Sequence, residues 1–507
     1  MFKTMKETFS RHKKVLCFGF IIYCIVHMYC LTNIITNHDD VAIRYYDNYD
    51  QTYLGRWLLY FINKITFYTL NTNWSVGVLC AVFVCISAML IIEILSLNKN
   101  STKIIAAFII LSFPTVTSWN LYNWMSLGFF LGFFLSVLSA FILYRAMNSE
   151  NKFRIIIYTL TSAILLSLSL ACYQAFACMF IVLVWYLVIS QFFAENDNCK
   201  KPVIYMLYGI ITFIVGYLIY RISLNLILEW KNMSLTGYQG ISEMGSISIH
   251  GTLSGLKAAY VKFVEFYITG YDLKILKYLN FLVFLGLILM SGHMLYKAKK
   301  NIGTKVIIIL LMLLMPLMVN SIYILTQGNS DVYSCMYITY MFPFLLFLVL
   351  AEHSCDKKLA MRFSVWIIGI VAFTFFMVDN RAYGNQDAVL NNIQQYFNRV
   401  AMRIESTEGF QENETRVYFS NPISLTEYPL FQESELDTTD SLQDIIYNDS
   451  GVHAFMNSFC AFHVKDIAGD DDLINAILES KEYSSMGVYP AESSIQFING
   501  VLVVKFK

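Results

Sequence analysis

Charge is what this 507-residue chain has least of. Only 14% of its residues are charged, while 57% are hydrophobic and 16% aromatic. An ordinary soluble domain carries about 25% charged residues, so a water-soluble fold is excluded as the default. Net charge is missing too. The 36 Lys+Arg balance 36 Asp+Glu, which removes the electrostatic footprint of a nucleic-acid surface. Seven prolines and 24 glycines exclude a collagen-like or low-complexity chain. There is no CxxC, no HExxH and no Walker loop, so zinc chemistry and nucleotide hydrolysis have no support. The eleven cysteines lie mostly in apolar runs (Cys17, Cys24, Cys80, Cys85, Cys172, Cys178) or short basic loops (Cys199, Cys355). The polar C-terminal part holds only Cys460, and no disulfide framework is implied.

What is present is a series of apolar runs, most of them long enough to cross a hydrocarbon core of about 30 Å. They fall at 15–36, 74–97, 104–118, 125–144, 155–172, 175–193, 203–227, 278–296, 304–326, 335–351 and 362–378. Basic residues occupy alternate loops. Lys3, Lys6, Arg11, Lys13 and Lys14 precede the first run. Then come Lys99 and Lys103; Arg145, Lys152 and Arg154; Lys200 and Lys201; Lys297, Lys299, Lys300 and Lys305; and Lys357, Lys358 and Arg362. With eleven spans every cluster falls on one side, which predicts a cytoplasmic N-terminus and an external C-terminal segment. After the first run, Leu31-Thr32-Asn33-Ile34-Ile35-Thr36-Asn37 offers no small-x-small cleavage site, so it reads as an uncleaved anchor.

The expected fold is therefore an all-α polytopic membrane protein of about eleven helices, with a small C-terminal extracytoplasmic α/β domain. Residues 1–378 form the transmembrane domain, with outer loops at 37–73 and 228–277, and residues 379–507 the soluble one. In that tail, 386–404 has helical periodicity, while Arg416-Val417-Tyr418-Phe419 and Val501-Leu502-Val503-Val504 read as strands.

Chemistry concentrates in the first outer loop, Asn37-His38-Asp39-Asp40 through Tyr49-Asp50. Partial desolvation and a like-charged neighbour both raise a carboxylate's pKa. One of Asp39 and Asp40 then suits a general base acting on a hydroxyl; the plainer alternative is that the pair caps the next segment. Beyond it, Leu54, Trp57, Leu58, Phe61, Ile62 and Ile65 share one helical face, with Arg56, Asn63 and Lys64 away from it. The pattern predicts an interfacial helix buried by that face.

His38-Asp39-Asp40, the tyrosine-rich stretch and Gly55-Arg56-Trp57-Leu58 together resemble the Gtr type II family of O-antigen-modifying glucosyltransferases. Ala171-Cys172-Tyr173-Gln174 and the amphipathic segment from Tyr383 to Arg403 resemble it as well. The likeness is sharp across 37–60 and looser elsewhere. It implies a GT-C-like membrane enzyme that moves a hexose, taken as glucose, from a polyprenyl-phosphate donor to a cell-envelope polysaccharide on the outer face of the plasma (inner) membrane. A lipid phosphate leaves as a stable anion, so Asp39 or Asp40 need only deprotonate the acceptor, with inversion. Arg44, Arg56 and Arg221 become candidates for the donor phosphate, and snorkelling is the competing account of Arg221. His38, Trp57, Tyr173 and Gln174 become candidates for the sugar or acceptor, with Trp119 and Trp124 nearby; an interfacial aromatic belt is the competing account of the rings. Lys257 and Lys262 are weaker phosphate candidates. His250, Glu243 and Glu265 have no ligand spacing, and neither a metal nor another cofactor is expected. The partners are the lipid donor, the glycan acceptor and the bilayer, with no nucleic acid. A lipid-linked saccharide flippase would need mid-membrane ionisable groups and paired broken helices. An O-antigen polymerase would be expected to carry arginine-rich outer loops. A scaffold leaves the acidic pair unexplained.

Overall fold

The computed structural model describes residues 2–37, 39–41, 50–69, 72–194, 199–237, 248–269, 274–327, 332–354, 358–422 and 448–507. His38, Arg44, Glu243, Cys355 and Lys357 lie outside them. The chain forms two compact units. One, the membrane unit, comprises Met1–Asn33, Asp50–Asn120 and Trp124–Asn380; the other comprises Ile34–Tyr49, Leu121–Asn123 and Arg381–Lys507.

Among the described residues of the chain, nine helices are long and apolar enough to cross a membrane, or ten if one bent pair counts as a single span. Each of the eleven expected runs holds helix, although the first, expected over 15–36, ends at Thr32. Those that fall short are broken where proline enters. Asn100–Leu111 and Pro114–Leu121 meet at 42°, because a proline lacks the N–H and crowds the preceding turn. Run 304–326 splits into Ile302–Leu313, Met315–Val319 with Pro316 in its first turn, and Ile322–Leu325. Backbone polar groups freed inside a membrane must be satisfied by the protein. Here Thr339 Oγ1 donates to the Val319 carbonyl at 2.7 Å; Asn320, in the break, donates its side-chain Nδ2 to the carbonyl of Ala259 in the Ile249–Val264 helix at 2.7 Å.

Between Ser126–Met147 and Lys152–Cys172 the packing relies on small polar residues. Ser139 and Ser162 each donate to the other's carbonyl at 2.8 Å, and Ser169 to that of Gly132 at 2.7 Å. Such residues allow close backbone approach where lipid removes any hydrophobic drive for helices to associate. Outward, Lys200–Lys231 exposes Leu207, Ile211, Ile214, Leu218, Ile222 and Leu226 along one stripe. That stripe is tolerable because its solvent is hydrocarbon.

The same solvent changes the reading of the Trp57–Thr69 helix. Its buried side is Leu59, Ile62, Asn63 and Thr66, whereas Phe61 and Ile65 are 40% and 58% exposed. The expected apolar face is thus divided, and Asn63 turns inward instead of outward. Apolar groups gain little by leaving lipid, while polar ones lose if left in it.

The Lys358–Glu405 helix runs unbroken for 48 residues. The composition change at Asp379-Asn380-Arg381 suggested an end to the span there. No proline interrupts the stretch, so polar sequence continues the helix that apolar sequence began. In the second unit Leu390, Ile393, Phe397, Val400 and Ile404 repeat at helical spacing and join a core with Val417, Phe419, Leu502 and Val504. The sheet there has the order β1-β3-β2. β1 (Arg416–Ser420) runs parallel to β3 (Val501–Lys505), with Arg416 opposite Val501. β2 (Ile495–Ile498) is antiparallel to β3 across Asn499-Gly500, both at positive φ, 49° and 77°, the turn favoured between twisted strands. β3 is apolar from Val501 to Val504 because both its faces are covered: Leu502 and Val504 on one side, Val501 and Val503 with Ile467 and Ile477 on the other.

Candidate active site

In the membrane unit the residues after Asp50 form a tight entry to the Trp57–Thr69 helix. Thr52–Leu54 is a 3-10 turn, and Gly55 follows in the left-handed region at φ 76°. A Cβ at Gly55 would stand 2.5 Å from Tyr220 Oη and 2.6 Å from Gln174 Nε2, so glycine is required both by its conformation and by the close approach. Tyr220 donates its hydroxyl to the Gly55 carbonyl at 3.0 Å. Gln174 Nε2 donates to the Leu54 carbonyl at 2.8 Å and to Tyr220 Oη at 3.1 Å.

This clamp presents two guanidiniums. Arg56 lies over the Tyr173 ring at 4.6 Å, a cation–π contact, and Tyr173 Oη is 3.3 Å from Cys335 Sγ. Arg221 follows Tyr220 in sequence, and both guanidiniums are within electrostatic reach of the Tyr220 phenol. Arg56 Nε, Arg221 Nη1 and Trp57 Nε1 are buried and have no hydrogen-bond partner among the described residues. A buried donor without an acceptor is costly, and more so when charged.

The end of the Lys200–Lys231 helix fixes the turn a second time. Lys231 Nζ is 2.5 Å from Asp50 Oδ2 and 3.2 Å from the Tyr60 ring centroid, while the Thr52 N–H donates to Asp50 Oδ1 at 3.0 Å. Burial alone would raise the Asp50 pKa, but the hydrogen bonds from Lys231 and Thr52 outweigh it. They hold the carboxyl below the usual aspartate range.

In the second unit Asp40 is completely buried. Its Oδ2 accepts from Thr36 Oγ1 at 2.8 Å, the Asn37 N–H at 3.3 Å, the Asn123 N–H at 3.1 Å and Asn123 Nδ2 at 3.2 Å. Asn37 Oδ1 accepts from the Asp40 N–H at 3.1 Å, which completes a reciprocal capping arrangement. Asp40 thereby joins the segment at 34–41 to Leu121–Asn123, and Gln386 Nε2 donates to the Thr36 carbonyl at 3.0 Å. Asp39, on the same short helical turn, is partly exposed.

Five expected residues, Arg56, Trp57, Tyr173, Gln174 and Arg221, therefore converge within the membrane unit. Gln174 spends both N–H groups on the clamp. Trp119 is core: fully buried, its indole N–H donates to the Cys335 carbonyl at 2.8 Å, and its ring packs on Phe130, Phe133 and Phe176. Trp124 is 4% exposed. Lys262 pairs with Glu265 at 2.8 Å, and Lys257 and His250 are exposed. Among the described residues no three His, Cys, Asp or Glu side chains gather as metal ligands would. Two features were not legible in the sequence. Tyr220 looks like any interfacial tyrosine, its adjacency to Arg221 being the only signal, and Asp50–Lys231 pairs residues 181 positions apart. A third feature is Asp379, completely buried beside the Thr117 hydroxyl, with neither oxygen in a hydrogen bond of normal geometry.

Comparison with known families matches the glucosyl transferase GtrII family over residues 28–391, most of the chain. The chain belongs to the GtrII family. It is a multi-pass membrane glycosyltransferase. The match covers both the Gly55–Trp57 turn with its Tyr220 clamp and the Asp39-Asp40 segment. Neither a curated protein nor a solved structure matches the chain.

Proposed function

We propose that this GtrII-family glucosyltransferase takes a hexose, glucose, from a polyprenyl-phosphate carrier. It transfers the sugar to a cell-envelope polysaccharide on the outer face of the inner membrane. The observation that carries this reading is the pair of guanidiniums, Arg56 and Arg221, each with a buried N–H lacking a partner. A phosphate oxygen is the acceptor such donors suit best, and Arg recognises it through more than one N–H. As the glycosidic bond breaks, charge grows on that phosphate, and donors already in place stabilise it without reorganising.

The leaving phosphate needs no proton, so the remaining task is removal of the acceptor's. We assign it to Asp39. The Asp40 carboxylate is committed to four donors, and a group so engaged is a poor base. Attack opposite the leaving phosphate inverts the anomeric carbon. We assign Trp57 to the sugar, with Tyr173 acting through its hold on Arg56. The Lys/Arg-rich alternate loops support a cytoplasmic N-terminus, with residues 379–507 outside. The reaction balances without a metal or other cofactor.

The test is transfer of labelled hexose from polyprenyl-phosphate-hexose in membranes, with Asp39→Asn alongside. Transfer is expected with the lipid donor and to collapse in the variant. Transfer from a nucleotide sugar without any lipid carrier would refute the donor, and full activity of Asp39→Asn would refute the base.

A further inference from the structure

We infer that Tyr220 is a positioning residue that couples the two guanidiniums into one anion-binding unit. The inference rests on the reading of Arg56 and Arg221 as ligands of the donor phosphate. Tyr220 is 1% exposed, and its hydroxyl is used twice, donating to the Gly55 carbonyl at 3.0 Å and accepting from Gln174 Nε2 at 3.1 Å. Gly55 is the residue before Arg56, and Tyr220 is the residue before Arg221. One phenol therefore ties the backbone that carries the first guanidinium to the helix that carries the second. Gln174 closes the triangle through the Leu54 carbonyl at 2.8 Å, and its neighbour Tyr173 supports the Arg56 guanidinium.

The consequence is specific. Two cations held apart by flexible chains would each bind phosphate weakly and independently. Two cations whose backbones are tied together by one phenol bind it as a preorganised pair, with part of the ordering cost already met in folding. Tyr220 touches neither the reacting carbon nor the acceptor hydroxyl in this scheme, so its loss falls on donor binding and leaves the chemical step alone.

The experiment is donor titration with polyprenyl-phosphate-hexose on the full-length protein in membranes, comparing wild type, Tyr220→Phe, Arg56→Ala, Arg221→Ala and the Tyr220→Phe/Arg221→Ala double variant. Tyr220→Phe is expected to raise the donor KM about three- to tenfold, the scale of one hydrogen bond, with kcat within about twofold. In the Arg221→Ala background it is expected to add little, because the pair it served is already broken. Gln174→Met removes the other side of the clamp and is expected to give the same pattern, which decides the matter should Tyr220→Phe fail to accumulate. If both arginine variants raise KM but Tyr220→Phe and Gln174→Met do not, or if the clamp variants lower kcat with KM unchanged, the coupling is wrong. If the arginine variants leave KM unmoved, the phosphate reading itself falls.

Discussion

Adjacent aspartates with different surroundings make a prediction that separates stability from activity. Asp40 and Asp39 share a short helical turn, yet Asp40 Oδ2 alone accepts from four donors and is sealed from solvent. Replacing Asp40 with Asn removes the charge and leaves one oxygen to serve those donors. Charge-assisted bonds are worth about 1.5–3 kcal/mol each, but the retained oxygen recovers part of that, so a net loss of about 2–3 kcal/mol is expected. For a unit of roughly 150 residues this lowers the melting temperature by roughly 5–10 °C. Asp39→Asn changes a partly exposed side chain and is expected to shift melting by less than about 2 °C, consistent with surface substitutions. As the assigned base, however, its loss should reduce kcat by a factor of about 10² to 10⁴. Thermal melting in detergent, set beside labelled-hexose transfer at saturating donor, reads both quantities. If Asp40→Asn melts like wild type while transfer is abolished, and Asp39→Asn retains transfer, the roles are reversed and the reasoning from hydrogen-bond occupancy is refuted.

Arg56→Lys keeps the charge but loses the planar group over Tyr173; it is expected to raise donor KM about tenfold and Arg56→Ala about a hundredfold or more, and equal effects would mean that charge alone matters. Asp50 is held below the ordinary aspartate range by Lys231, so its contribution is fully present above about pH 4 and is lost as pH falls through the depressed value. Melting of wild type and Lys231→Met should therefore differ at pH 7 and converge as pH falls below 4; a gap that does not change with pH would contradict the pairing. Asp379 is sealed in without a normal hydrogen bond, so Asp379→Leu is expected to raise the melting temperature. A fall would mean that its carboxylate has a partner on which folding depends.

Much of this architecture is a direct consequence of residue order. Hydrocarbon thickness sets a run length, and each expected run from 15–36 to 362–378 holds helix, with 104–118 and 304–326 broken near Pro114 and Pro316. Alternation at Arg416–Phe419 and the unbroken apolar Val501–Val504 became the paired strands β1 and β3. These are local signals, legible because each depends on a period of a few residues. The sequence also marked Arg56, Trp57, Tyr173, Gln174 and Arg221 as candidates, by residue type and by family resemblance.

Sequence could not assign their tasks. Which of two identical neighbours is buried depends on Asn123, 83 positions from Asp40. Whether Gln174 faces a sugar or a backbone carbonyl depends on Leu54, 120 positions away. The inward face of the Trp57–Thr69 helix is not legible in the sequence because lipid and protein interior are both apolar, so periodicity alone does not say which one a leucine meets. Spans, strands and candidate residues are determined by the chain itself. The Tyr220 clamp and the capping of Asp40 are decided only when folding brings distant donors and acceptors within hydrogen-bond reach.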